Sequence, residues 1–251
     1  VRSYYSIEEF QIRKCNNCDL SFTKVNNKKF DQKKLYKNIY DYSVHESTKS
    51  EKLWRIENTF SKVSKKFDLN SKSIVLDIGC MQGFFLEYLK KKFNCKVLGI
   101  ETEDYYLRKK NKNLNIIKSD LYNFSQKKIN QYNFDLIIMS HTFEHFSEPM
   151  KVLNCLNKLL SKNGMCLIIV PNIDSYMSNF FKRFWGWLQP PAHFFHYSKK
   201  SLSKIFHNAN FRYTLINENG GDSLLLALSF INIMKFNYTK SSKSKNKRLR
   251  N

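Results

Sequence analysis

Glycine and proline are scarce in this chain, seven and four among 251 residues. That excludes a collagen-like or Gly/Pro-rich low-complexity polymer and makes each such residue informative about a turn. Acidic residues are in deficit too, 21 against 43 Lys and Arg, for a formal charge of +22. No apolar run approaches the roughly 20 residues a membrane-spanning helix needs; the longest, Leu224 to Met234, is interrupted by Ser229 and Asn232. Val1 to Lys14 contains no apolar signal core. The six cysteines lack the spacing of a secreted disulfide framework. Cys80, Cys95, Cys155 and Cys166 lie in or beside apolar segments and read as small core residues of a reduced compartment. The expectation is a cytoplasmic chain with no transmembrane segment.

What is present can fill a substantial core: 42% of residues are apolar and 15% aromatic, which excludes global disorder. The positive charge favours anionic partners such as RNA, DNA, nucleotide sugars or membrane headgroups. Its other reading is Lys spread over nearly every surface segment. Only 235–251 forms a dedicated basic arm, with Lys235, Lys240, Lys243, Lys245, Lys247, Arg248 and Arg250 and no acid.

From Glu51 to Phe67, apolar residues at Leu53, Ile56, Phe60, Val63 and Phe67 have the spacing of an amphipathic helix. Short β-branched runs follow at Ser73–Ile78, Lys96–Ile100, Asn115–Lys118, Phe134–Met139 and Cys166–Val170. Helical patterns fall between several of them, notably Phe84–Lys92 and Met150–Leu160. Strands alternating with helices imply a parallel sheet covered on both faces. A further helix, Lys200 to Asn208, precedes strand-like Phe211–Ile216 and Ser223–Phe230 around Gly220-Gly221. The expected fold class is therefore α/β, a Rossmann-like, mostly parallel sheet of seven strands with helices on both faces and a small N-terminal accessory segment. The expected organisation is an accessory segment over 1–48, a domain over 49–234 with an insertion at 172–198, and a basic tail over 235–251.

The most informative stretch is Val75-Leu76-Asp77-Ile78-Gly79-Cys80-Met81-Gln82-Gly83, a buried strand running into a turn and a helix. Ligands of open α/β sheets bind beyond the carboxyl ends of the strands, where the strand order reverses. A dinucleotide site would carry Gly-x-Gly-x-x-Gly, but this loop reads Asp-x-Gly-x-x-x-Gly. It resembles motif I of class I S-adenosylmethionine-dependent methyltransferases, usually Asp-x-Gly-Cys-Gly-x-Gly, and departs from it at Met81. Four further segments resemble that family in order: Glu101 closing the second strand, Lys118-Ser119-Asp120-Leu121 after the third, Phe134 to Ser140 as motif IV, and Leu159-Leu160-Ser161-Lys162-Asn163-Gly164-Met165. The resemblance implies S-adenosylmethionine as cofactor. Asp77, Gly79, Cys80 and Gly83 would lie around its methionine part, Glu101 and Thr102 at the ribose, Asp120 and Leu121 at the adenine, and Ser140 along the methyl-transfer channel.

After the fourth strand comes His141-Thr142-Phe143-Glu144-His145. A helix starting there would put His141, Glu144 and His145 on one face at i, i+3 and i+4. Three roles stand open for them: bracing the loop, acting as a base or acceptor contact, or holding a metal. The segment is similar to the Glu-x-x-Glu-His motif of ubiquinone-pathway and small-RNA 2′-O-methyltransferases, which implies a metal there. His141 replaces the first Glu, and no metal is assigned.

Farther on, Pro190-Pro191-Ala192-His193-Phe194-Phe195-His196-Tyr197-Ser198 resembles a signature of a bacterial methyltransferase group found with sugar- and polysaccharide-modifying genes. His193 reads as a base or acceptor contact, and the aromatics at 180–187 as an acceptor seat or a packed plug. Cys15 and Cys18 read as a partial zinc-ribbon knuckle, since a closed zinc site needs four ligands. The catalytic candidates are thus His141, Glu144, His145 and His193, for methyl transfer to a small or carrier-linked acceptor such as a sugar. Two rivals remain: an RNA methyltransferase, favoured by the charge, and a non-catalytic scaffold, favoured by Met81.

Overall fold

The computed structural model describes residues 2–7, 10–25, 48–128 and 131–216. These fall into two compact units. One takes 2–7, 10–25, 171–204 and 212–216, and the other takes 48–128, 131–170 and 205–211.

The larger unit is built on a parallel sheet. Strands β4 (Ile74–Ile78), β5 (Lys96–Glu101), β6 (Asn115–Lys118), β7 (Phe134–Ser140) and β8 (Leu160–Ile169) are arranged in the order β6-β5-β4-β7-β8. The chain lays strands outward from β4 to β6, then returns to the other side of β4 with β7 and β8. The order therefore reverses at β4, the place where such sheets bind ligands. Val75, Leu76, Leu136, Ile137 and Ile138 are fully buried, as strands covered on both faces must be.

Helix α1 (Lys49–Val63) begins with a capping box between Thr48 and Glu51. It buries Phe60 and Val63 against Phe85 and Leu89 of α2 (Phe84–Phe93) and against Val75, Leu136 and Ile138 of the sheet. Short helices α3 (Asp104–Arg108) and α4 (Leu121–Lys128) follow β5 and β6, and α5 (Pro149–Leu159) leads into β8. Proline at the start of α5 costs no hydrogen bond, because the first helical N–H groups have no intrahelical acceptor.

Among the described residues the sheet has five strands, not the seven expected. Phe211–Ile216 adopts no regular structure, and Ser223–Phe230 lies outside the described residues. Phe211 to Ile216 carries Arg212, Tyr213 and Thr214 between its few apolar residues, and Tyr213 and Ile216 are exposed. A strand with no buried face gains little from pairing.

The other unit joins the N-terminus to the segment after β8. Strands β1 (Arg2–Ile7), β2 (Phe10–Lys14) and β3 (Ser21–Val25) form an antiparallel meander, and β9 (Phe195–His196) pairs with β3 through Ser21–His196 and Phe22–Phe195. Ile12 of β2 is buried among Ile173, Phe181, Trp185 and Leu188. Phe181 belongs to α6 (Tyr176–Phe181). The hairpin tip carrying Cys15 and Cys18 is tied to the first turns of α7 (Lys199–Asn208): Lys200 Nζ is 2.6 Å from Asp19 Oδ2, and Lys204 Nζ donates to the Asn17 carbonyl. Among the described residues, no helix is long and apolar enough to cross a membrane.

Candidate functional site

The loop after β4 is fastened to the end of β5. Gly79 and Cys80 both donate their N–H groups to the Ile100 carbonyl, at 2.9 and 3.2 Å, and Gly83 N–H closes a tight turn onto Cys80 O at 2.8 Å. Gly79, Met81 and Gly83 all have positive φ, at 71°, 50° and 88°. Glycine adopts that conformation without strain. Its small size is needed as well: a Cβ on Gly79 would lie 2.7 Å from Thr142 Oγ1, and one on Gly83 would lie 2.7 Å from Ile116 Cδ1.

Met81 takes the left-handed conformation that the glycine of the usual motif would take. Its N–H donates to Glu101 Oε2 at 2.8 Å. The other oxygen, Oε1, accepts from Thr102 N–H at 2.7 Å and Glu103 N–H at 3.0 Å. The carboxylate is thus held beside the loop by three backbone donors; both lone pairs of Oε1 are engaged, and Oε2 keeps one further lone pair for a ligand. Burial pushes Glu101 above the usual carboxylate range, and the three N–H groups partly offset it.

Asp77, buried on the neighbouring strand, is raised well above its ordinary value, first by burial and then by the charge of Glu101. Two buried acids, one of them raised by the charge of the other, form a receptor for positive charge. Cys80 contributes packing rather than chemistry. Burial, with Asp77 and Glu101 nearby, holds its thiol strongly protonated, among Leu86, Leu114 and Ile116.

On the far side of β5, Ser119 N–H donates to the Glu101 carbonyl, which brings the end of β6 alongside. Asp120 Oδ1 accepts from Asn123 N–H at 2.9 Å and so caps α4, and the Leu121 side chain is buried. On the β7 side, Ser140 ends the strand and its carbonyl accepts the Thr142 hydroxyl.

The three residues after β7 do not share a helical face. Only Phe143–His145 is helical, as a single 3-10 turn, and His141 lies outside it at φ 52°. His141 Nδ1 is 3.8 Å from Glu144 Oε1, beyond hydrogen-bond reach. Glu144 is buried and pushed up to about 8 by that burial, so near neutral pH it is mostly the uncharged acid. His145 is half-buried. A three-residue turn cannot deliver the 3.6-residue periodicity on which the shared-face expectation rested.

His193 and His196 lie in the other unit, and their hydrogen bonds place ring protons. A carbonyl only accepts, so His193 Nδ1, 2.7 Å from Trp187 O, carries a proton. The Thr23 hydroxyl donates to the His193 carbonyl at 2.7 Å. Its oxygen therefore accepts from His196 Nε2–H at 3.1 Å. Burial lowers His196 to about 3, so its ring is neutral and structural.

Thr142 is the site residue the sequence did not single out. It occupies the space that a Gly79 side chain would need, and a small β-branched residue just past a strand end was its only signal.

The model of a methyltransferase-domain family matches residues 52–216. None of the curated proteins matches the chain. Among solved structures it is similar to an S-adenosylmethionine-dependent methyltransferase from Archaeoglobus fulgidus, at 18% identity and a TM-score of 0.54, covering 81% of this chain and 92% of that one. It is also similar to the cyclopropane synthase MmaA2 from Mycobacterium tuberculosis, at 16% identity and a TM-score of 0.51, covering 65% of this chain and 61% of that one. With two thirds of its length matched by the family model, the chain belongs to the methyltransferase-domain family and has the fold of an S-adenosylmethionine-dependent methyltransferase.

Proposed function

We propose that this enzyme uses S-adenosylmethionine to O-methylate a small or carrier-linked acceptor, such as the hydroxyl of a sugar. The observation that carries the cofactor assignment is the pair of buried acids, Asp77 and Glu101, at the strand ends where the sheet order reverses. A phosphate-bearing dinucleotide would meet repulsion there, whereas a cationic, phosphate-free nucleoside would relieve it. When bound, S-adenosylmethionine supplies a methyl group on a sulfonium, ready for in-line displacement.

The chain's own residues would position and deprotonate. Glu101 would face the ribose and accept a hydroxyl on the remaining lone pair of Oε2. Asp77 would face the methionine ammonium, Gly79 and Gly83 would admit close approach of the loop, Thr102 would lie beside Glu101 at the ribose, and Asp120 and Leu121 would border the adenine. Ser140 and His141 would line the path to the acceptor, with Glu144 and His145 bracing it. His193 would act as the base through Nε2, a reading supported by the hydrogen bond that holds its Nδ1–H on the Trp187 carbonyl. The sugar reading rests on the resemblance of 190–198 to the polysaccharide-associated group.

Titration calorimetry with S-adenosylhomocysteine tests the cofactor assignment. A micromolar Kd, about −8 kcal/mol, is expected, and no heat at millimolar ligand would favour a non-catalytic scaffold. With acceptors in hand, turnover insensitive to salt is expected. A steep fall with salt would instead indicate an RNA substrate, whose phosphate contacts release counterions.

A further inference from the structure

Two large aromatic side chains on α6 face water. Tyr176 is 78% and Phe180 64% exposed, and one helical turn apart their rings stack with centroids 6.2 Å apart at 17°. Single exposed apolar residues are ordinary, but adjoining aromatics on one helix face are not. The helix has little freedom to turn them inward. Its opposite side is fixed by buried Phe181, which packs with Ile12, Ile173, Trp185 and Leu188 and meets Phe180 edge-on at 5.0 Å. The patch then runs directly into exposed Lys182 and Arg183, with the Arg183 guanidinium 4.8 Å from the Phe184 ring centre. Between 171 and 204, Asp174 is the only acid, against Lys182, Arg183, Lys199, Lys200 and Lys204.

We infer that this face of α6 docks on an anionic membrane surface, with Tyr176 and Phe180 entering the headgroup–acyl boundary and Lys182 and Arg183 meeting lipid phosphates. Aromatic rings favour that boundary, and basic side chains beside it add attraction to anionic lipid. A second copy of the chain is a poorer occupant. Two side chains offer far less than the roughly 1,200 Å² a stable interface buries, and copies carrying +22 repel each other. Single-stranded nucleic acid would stack its bases on open ring faces, but here the two rings already cover one face of each other. The inference goes beyond the methyl-transfer reading and does not depend on it, because vesicle binding needs neither cofactor nor acceptor.

The test is cosedimentation of the full chain with phosphatidylcholine vesicles, with and without one quarter phosphatidylglycerol, across a salt series. Binding is expected to appear with phosphatidylglycerol and weaken with salt. Tyr176→Ser/Phe180→Ser should lower the partition coefficient at least about tenfold, and K182E/R183E should abolish the preference for anionic lipid. Both pairs are on the surface, and unchanged thermal melting would show that the variants are folded. Three outcomes overturn the inference: no sedimentation of the wild type, undiminished binding of the Tyr176/Phe180 variant, or loss in that variant of affinity for a single-stranded RNA oligonucleotide with vesicle binding intact.

Discussion

The backbone N–H of Met81 donates to the carboxylate of Glu101 at 2.8 Å, tying the turn after β4 to the end of β5. One residue thus couples the shape of the loop to the orientation of the acid that would grip the ribose. Glu101→Ala removes both effects and is expected to weaken S-adenosylhomocysteine binding about ten- to a hundredfold, since a hydrogen bond to a charged group contributes about 1.5–3 kcal/mol. Glu101→Gln keeps the shape but gives up the charge, and should fall between the two. Calorimetry on the three proteins decides it; equal affinities would mean that Glu101 does not face the ligand.

Met81→Gly should not harm the loop. A non-glycine residue in the left-handed region costs about 1–2 kcal/mol, while added glycine freedom in the unfolded chain returns about 0.4–1 kcal/mol of that. The variant should melt at the same temperature or a few degrees higher and bind S-adenosylhomocysteine as before. A marked fall in melting temperature would show that the Met81 side chain, rather than its backbone, stabilises the turn.

Gly79→Ala is expected to destabilise by about 2–3 kcal/mol, through positive φ and the collision with Thr142. Placing it in a Thr142→Ala background should recover the steric part and leave the backbone part. Chemical denaturation of the two singles and the double closes the cycle. Strict additivity would mean that the two residues do not touch.

Glu144 makes stability depend on pH. Below about 4.5 it is neutral folded or unfolded. Between 4.5 and about 8 the folded chain keeps the proton and the unfolded chain releases it, so its contribution to stability falls as pH rises and is gone above 8. Glu144→Gln should flatten this slope, which is on the order of 1 kcal/mol per pH unit. Denaturation midpoints measured from pH 5 to 8.5 in both proteins provide the check.

The parallel strands were legible because strands covered on both faces are written as unbroken runs, such as Leu136-Ile137-Ile138. The Gly79–Gly83 turn was legible because its chemistry is local. The N-terminal sheet was not: β2 contributes only Phe10 and Ile12 to the buried side, and its stabilising partners, Ile173 to Leu188, come about 160 residues later. The early start of β8 at Leu160 was hidden as well, since Ser161, Lys162 and Asn163 look like a loop yet continue the strand past an irregularity opposite Phe134–Leu136. The face shared by His141, Glu144 and His145 failed for a related reason. Spacing states what a helix would align but does not say that the helix continues.

The pairing of Ser21 with His196 has a consequence for biosynthesis. Strands β1 to β3 are made well before their β9 partner and the residues that bury Ile12. Loop closure over such a separation slows assembly, so during translation the meander waits with an open edge while the five-stranded parallel sheet of the larger unit is already made. A nascent chain halted before Pro171 should therefore leave its N-terminal strands open to protease, and one extended past Lys204 should protect them.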